Sequence, residues 1–198
     1  MTTDAAGSTP TSYTATVGSQ RVELPIVPVS PDLSIALMMV IDLGVRFVET
    51  AGRELADRFR SAEPEVVVAP ATLGLPIALE VSRALGLDDY VILQKSQKIH
   101  LGDALAEPVQ AITSAAPSRL LLDRRRVPAV QGRRVLLVDD VLSTGSSSAA
   151  ALHLLERAGA RVVGVGALLA EGEGWATALA PHRDLVQTLG VIPVFPRR

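Results

Sequence analysis

The 198-residue chain has no cysteine, no asparagine, six aromatic residues and only two lysines among its 19 basic residues. Without cysteine there are no disulfides, no thiol nucleophile and no thiolate zinc site. His100, His153 and His182 are too scattered for a metal-binding spacing. The 19 basic residues face 21 acids, giving a net charge of −2, so there is no positive field for a nucleic-acid backbone and no nucleic-acid partner is expected. Long apolar runs are missing too. Leu33–Ile41 and Val162–Ala170 reach about half of the roughly 20 residues a membrane helix needs, so a soluble, cytoplasmic protein is expected, with no membrane partner.

Hydrophobic residues make up 48% of the chain and charged residues 20%, the proportions of a chain that buries a core. The length suits one domain. The Thr/Ser/Ala/Gly-rich stretch 1–20 lacks the basic start and apolar centre of a signal peptide and is expected to be a flexible tail. Residues 21–198 then form a single domain.

Within that domain, Val22–Val29 is broken by Pro25 and Pro28 and fits an edge strand, while Leu33–Ile41 fits either a strand or a buried helix. From Val45, apolar residues recur at helical spacing through Phe59, and Val66–Val68 follows as a buried strand. A helix with Pro76 in its first turn and Gly86 at its stop leads to strand Tyr90–Leu93. Periodicity lapses from Gln94 to Ser118, as in a functional lid. Arg119–Leu122 and Arg134–Val138 are short apolar runs, and the second lacks alternation, which predicts a mid-sheet strand. A helix through Leu154 capped at Gly159, strand Val162–Leu169, a weak helix near Ala176–Leu189 and strand Val191–Val194 complete the chain. Strands alternating with helices predict an α/β fold with a mostly parallel sheet. Gly164-Val165-Gly166 lacks a third glycine and lies inside a strand, so it is no dinucleotide fingerprint.

The chemistry concentrates in Val135-Leu136-Leu137-Val138-Asp139-Asp140-Val141-Leu142-Ser143-Thr144-Gly145-Ser146-Ser147. Four apolar residues deliver two adjacent carboxylates to the carboxyl end of a strand, the edge where open α/β sheets bind ligands. The small and hydroxyl residues around Gly145 then form a turn at a helix N-terminus, whose free N–H groups suit a phosphate. Acids beside a phosphate cradle suit a sugar phosphate.

These thirteen positions resemble the phosphoribosyl diphosphate (PRPP) binding signature of the type I phosphoribosyltransferases at every position. The resemblance extends over about Val66–Leu169 and is closest to the adenine phosphoribosyltransferase-like branch. It implies the type I phosphoribosyltransferase fold with a flexible hood loop, and transfer of a 5-phosphoribosyl group from PRPP to a nitrogenous base, a purine, with release of diphosphate. Asp139 and Asp140 would hold the ribose hydroxyls, and Val141, Leu142, Ser143, Thr144, Gly145, Ser146 and Ser147 would complete the PRPP site. The implied cofactor is Mg²⁺, held through PRPP itself and the two aspartates. Ala71, Thr72, Leu73 and Gly74 stand where the branch has its diphosphate-binding loop, with Leu73 replacing an arginine and Leu75 a phenylalanine. Any base would rest on aliphatic walls.

The two lone lysines, Lys95 and Lys98, fall where family lysines reach diphosphate, often across a homodimer interface, and they complete the expected catalytic set with Asp139 and Asp140. Ile99–Ser118 would be the hood that closes over PRPP; Thr113-Ser114-Ala115-Ala116-Pro117 stands where the branch carries a glutamate. A second reading is a non-catalytic PRPP- or nucleotide-sensing protein of the same fold.

Overall fold

The computed structural model describes residues 11–109 and 118–197. In chain order it contains β1 (Ser12–Val17), β2 (Gln20–Ser30), β3 (Leu33–Ala36), α1 (Val45–Phe59), β4 (Val66–Pro70), α2 (Gly74–Leu85), β5 (Tyr90–Leu93), β6 (Ala104–Val109), β7 (Ser118–Asp123), β8 (Arg134–Leu142), α3 (Ser146–Arg157), β9 (Arg161–Glu171), α4 (Gly174–Ala178), β10 (Val186–Ile192) and β11 (Phe195–Pro196).

The central sheet has five parallel strands in the order β10-β9-β8-β4-β5. Both of its faces are covered, and the sequence shows why: alternate residues serve opposite cores. Leu136, Val138, Val67 and Ala69 join the core with α1 and α2, whereas Val135, Leu137, Val66 and Val68 join the core with α3 and β7. Each is at most 1% exposed, so an unbroken apolar run is what these strands require. Gly164 and Gly166 of β9 serve the same packing. A Cβ at Gly164 would lie 2.6 Å from the Phe59 ring, and one at Gly166 would lie 2.9 Å from it. These glycines let α1 approach the sheet.

The chain runs β4-α2-β5 toward one edge and β8-α3-β9 toward the other, so the order reverses between β4 and β8. Ligands of open α/β sheets bind in the crevice that such a reversal opens at the carboxyl ends of the strands.

A second sheet, ordered β1-β2-β3-β11, begins inside the stretch expected to be a tail. The loose tail expected over 1–20 does not reach Gln20, because Ser12–Val17 pairs with β2 and buries Ala15 and Val17 completely. Residues 1–10 lie outside the described residues. Val22–Val29 lies in β2, which pairs with β1 over Gln20–Pro25 and with β3 over Ile26–Ser30, so each half has a paired strand on one side, as an edge reading expects; Pro28 sits beside a register shift between Pro28 and Ser30.

Two further expectations change. The weak helix of 176–189 is split into α4 and a 3-10 turn at Ala180–Leu185, and Val186–Leu189 joins β10, where Leu189 is buried. The stretch 94–118 is not without structure: Ile99–Leu101 is a 3-10 turn, and β6 pairs antiparallel with β7 along its whole length. This hairpin is tied to α3, because Arg157 Nη1 donates to the Ala106 carbonyl (2.8 Å) and to Glu107 Oε2 (2.7 Å). Thr113–Pro117 lies outside the described residues. The Arg124–Arg126 turn is held by acids, Arg124 to Asp103 and Arg126 to Asp89.

Candidate active site

β8 ends in Asp139-Asp140-Val141-Leu142, and Gly145 turns the chain into α3. Gly145 has φ 78°, and a Cβ there would lie 3.0 Å from both Ala178 Cβ and Trp175 Cα. Conformation and space both demand glycine here. The turn is braced by hydroxyls: the Ser146 N–H donates to Thr144 Oγ1 (3.3 Å), and the Thr144 hydroxyl donates to Ser146 Oγ (3.1 Å). The first turn of the 12-residue α3 therefore presents its N–H groups at the end of the sheet, where the helix dipole favours an anion.

A cavity of about 190 Å³ occupies this end of the sheet. It is lined by Lys95, by Asp139 and Asp140, and by every residue from Val141 to Ser148. The structure thus brings together all nine residues of the expected PRPP site and one of the two lysines. Lys98 does not line it; Lys98 precedes the 3-10 turn, and its carbonyl accepts from the Leu101 N–H (2.9 Å).

The two carboxylates differ. Burial pushes the Asp139 carboxyl well above the ordinary carboxylate value, and the charge of Asp140 pushes it in the same direction. The Asp140 N–H, which donates to Asp139 Oδ1 (3.0 Å), and the Lys95 ammonium oppose the rise without cancelling it. Asp139 is thus the carboxyl of the pair whose ionisation the site disfavours, and a cation or a hydrogen-bond donor beside it would offset that cost.

The loop after β4 adjoins this pair. A Cβ on Gly74 would come within 3.0 Å of Ala69 Cβ and 3.5 Å of Asp139 Oδ1, so the loop packs directly on the aspartate. The peptide between Ala71 and Thr72 is cis. The expected cradle over Ala71–Gly74 is narrower than the sequence implies, because the Ala71 N–H is already spent on the Leu93 carbonyl (2.8 Å). None of Ala71–Gly74 lines the small cavity, and Leu73 lines the larger one beside it.

Next to the small cavity lies a larger one of about 600 Å³. Asp140, Val141, Ser143 and Thr144 line both. Its other walls are mostly aliphatic: Val29, Leu33, Ile35 and Met38 from the second sheet and the segment after it, Leu73 from the β4 loop, and Val194. Glu171 at the end of β9 completes it, 5% exposed, accepting a hydrogen bond at Oε2 from the Ser143 hydroxyl (2.6 Å). Neither Glu171 nor the second-sheet wall was singled out from sequence. The only available signal for Glu171 was an acid closing an otherwise apolar strand.

The geometry suits a sugar phosphate beside an apolar slot, and comparison with known proteins decides the family. The phosphoribosyl transferase domain family matches residues 46–191. The chain belongs to that family. Relatives of this phosphoribosyl transferase domain include a xanthine phosphoribosyltransferase of Exiguobacterium sp., 35% identical over 62% of this chain and 62% of the relative. They also include an orotate phosphoribosyltransferase of Caldanaerobacter subterraneus, 28% identical over 71% of this chain and 63% of the relative. The chain spans less than two-thirds of the length of these two relatives. In structure it resembles the adenine phosphoribosyltransferase of Giardia lamblia, with TM-score 0.69 and 22% identity over 85% of this chain and 92% of that one. The enzyme from Thermoanaerobacter pseudethanolicus gives TM-score 0.66 and 20% identity over 85% and 95%. These likenesses establish the α/β type I phosphoribosyltransferase fold.

Proposed function

We propose that the protein transfers the 5-phosphoribosyl group of PRPP to a nitrogen of a purine base, releasing diphosphate. The observation that carries this reading is the shared wall: an acid-lined phosphate cradle and an apolar slot wide enough for a base meet at Asp140, Val141, Ser143 and Thr144. Such an arrangement sets a sugar carbon between a leaving group and an incoming nucleophile. The bond from C1 to the diphosphate oxygen breaks, the bond from the base nitrogen to C1 forms, and the proton on that nitrogen leaves with the diphosphate.

In this reading Asp139 and Asp140 take the ribose hydroxyls, and the turn 143–147 takes the 5-phosphate through backbone N–H groups and hydroxyls. Lys95 and the loop 72–74 face the diphosphate, and Lys98 joins them only if its segment moves. The donor set fits Mg²⁺. Two hard carboxylates stand together, and among the described residues no cluster of three acids or histidines competes as a complete protein cage. When bound, the ion would be held by Asp139 and Asp140 together with PRPP oxygens, and it would supply neutralising charge for the departing diphosphate. Such a cation would also relieve the unfavourable ionisation of Asp139. A homodimer in the cytoplasm completes the proposal. Among the described residues no helix is long and apolar enough to cross a membrane.

The test is diphosphate release from PRPP and Mg²⁺ with adenine, guanine, hypoxanthine, xanthine, uracil and orotate supplied separately. Release with at least one purine and formation of its 5′-monophosphate support the reading. PRPP binding with no release for any of the six would leave a PRPP sensor and overturn the transferase.

A further inference from the structure

The slot beside the phosphate cradle has a one-sided chemistry. Its charged lining residues are Asp140, Glu171 and Glu173, and among the described residues no lysine, arginine or histidine lines it. Asp140 belongs to the sugar site and Glu173 is exposed at the rim. Glu171 is the buried one. Among the described residues, the single hydrogen bond to its carboxylate is the one that Ser143 donates to Oε2. Ser143 in turn lines both cavities and sits in the turn that would grip the 5-phosphate.

Resting on the phosphoribosyltransferase reading above, we infer that Glu171 determines base specificity: it selects a neutral base that offers an N–H donor, rejects anionic bases, and links base choice to the phosphate turn through Ser143. The physical argument is desolvation. A base entering an aliphatic slot loses water from its polar edge and must find partners there. The slot offers carboxylate oxygens, which accept, and no cationic donor that could receive a carboxylate or an enolate. An amino group or ring N–H therefore finds its partner in Glu171. An orotate carboxylate, or xanthine as its anion, meets a buried like charge, and discrimination of this kind is large because the mismatched groups stay unpaired. Meanwhile Oε2 stays with Ser143, so the same side chain steadies the phosphate turn.

The experiment measures kcat/KM for adenine, xanthine and orotate at saturating PRPP and Mg²⁺, and PRPP affinity by calorimetry, in wild type, Glu171→Gln and Glu171→Ala. In wild type, adenine is used with kcat/KM at least about a hundredfold above xanthine and orotate. Glutamine keeps an acceptor for Ser143 but brings an NH₂ donor and no charge. Glu171→Gln therefore holds PRPP affinity within about threefold while the adenine preference over xanthine falls at least about tenfold. Glu171→Ala weakens PRPP binding as well, because Ser143 loses its partner. A merely structural glutamate would lower stability without changing the ratio between bases. An unchanged ratio in Glu171→Gln, or a wild-type enzyme that prefers orotate or xanthine, overturns the inference while leaving the transferase intact. Wild type that binds no PRPP overturns both.

Discussion

The two neighbouring cavities are built in opposite ways. The phosphate cradle is local: apart from Lys95, its lining is the unbroken run from Asp139 to Ser148, set by one strand, one glycine turn and one helix start. The apolar slot is assembled from segments far apart in the chain, around residues 29–38, 73, 140–144, 171–174 and 194, brought together by a second sheet. A local site depends on backbone geometry and a few charges. A dispersed one depends on packing, and its walls can change without disturbing the cradle. On the proposed reading, the cradle takes the phosphoribosyl group and the slot decides which base is accepted.

Substitutions can break this division of labour. The largest effect is expected from Asp140→Asn, which removes a charge from the wall common to both cavities. PRPP affinity should fall by about a hundredfold or more, measured by calorimetry with Mg²⁺ present. Unchanged affinity would mean that Asp140 does not hold the ribose. Gly145→Ala comes next. It forces a side chain into a backbone with φ 78° against Trp175 and Ala178, and should cost about 1–3 kcal/mol in denaturant unfolding, with PRPP binding weakened too.

Ile35→Ala probes the other cavity: removing apolar surface from the slot should raise KM for the base by about three- to tenfold and leave PRPP affinity within about twofold. Equal losses for base and PRPP would show that the cavities are not separable.

The legibility of the two regions follows the same contrast. Val135–Ser147 was readable because each step of its argument is carried by neighbouring residues: an apolar run for a two-sided strand, acids at its end, glycine at the turn, hydroxyls at the helix start. The β4 and β5 strands, α1 and the Gly86 stop were readable for the same local reasons. The second sheet was not. Ser12–Val17 is a polar, Thr-rich stretch whose order comes from pairing with β2 and packing against β10, and Val186–Leu189 becomes a strand through its parallel partner β9. No nearby residue reports such pairing. Lys98 was drawn into the site by the resemblance of Gln94–Lys98 to the family's basic motif, and of the two lysines Lys95 alone lines the cradle. Glu171 escaped notice because its importance lies in touching Ser143, 28 residues away.

The smallest expected effect is thermodynamic. The Asp139 carboxyl is raised in the folded state, so over the window between its ordinary value and the raised one the folded protein keeps a proton that the unfolded chain has released. Stability falls as pH rises through that window and stays lowered above it. Asp139→Asn should therefore raise Tm in neutral buffer, with the gain vanishing in acid, where the carboxyl is protonated in both states. A lower Tm at neutral pH would show that the charge of Asp139 is already compensated in the free protein.

The most direct test of the central claim, that the cradle and the slot act as one site, is a paired product measurement. PRPP, Mg²⁺ and a purine are mixed with the protein, and diphosphate and nucleoside 5′-monophosphate are quantified from the same sample. The account predicts that the two appear in a one-to-one ratio and that neither appears when the base is omitted. Diphosphate without nucleotide, or binding of PRPP with neither product, would contradict it.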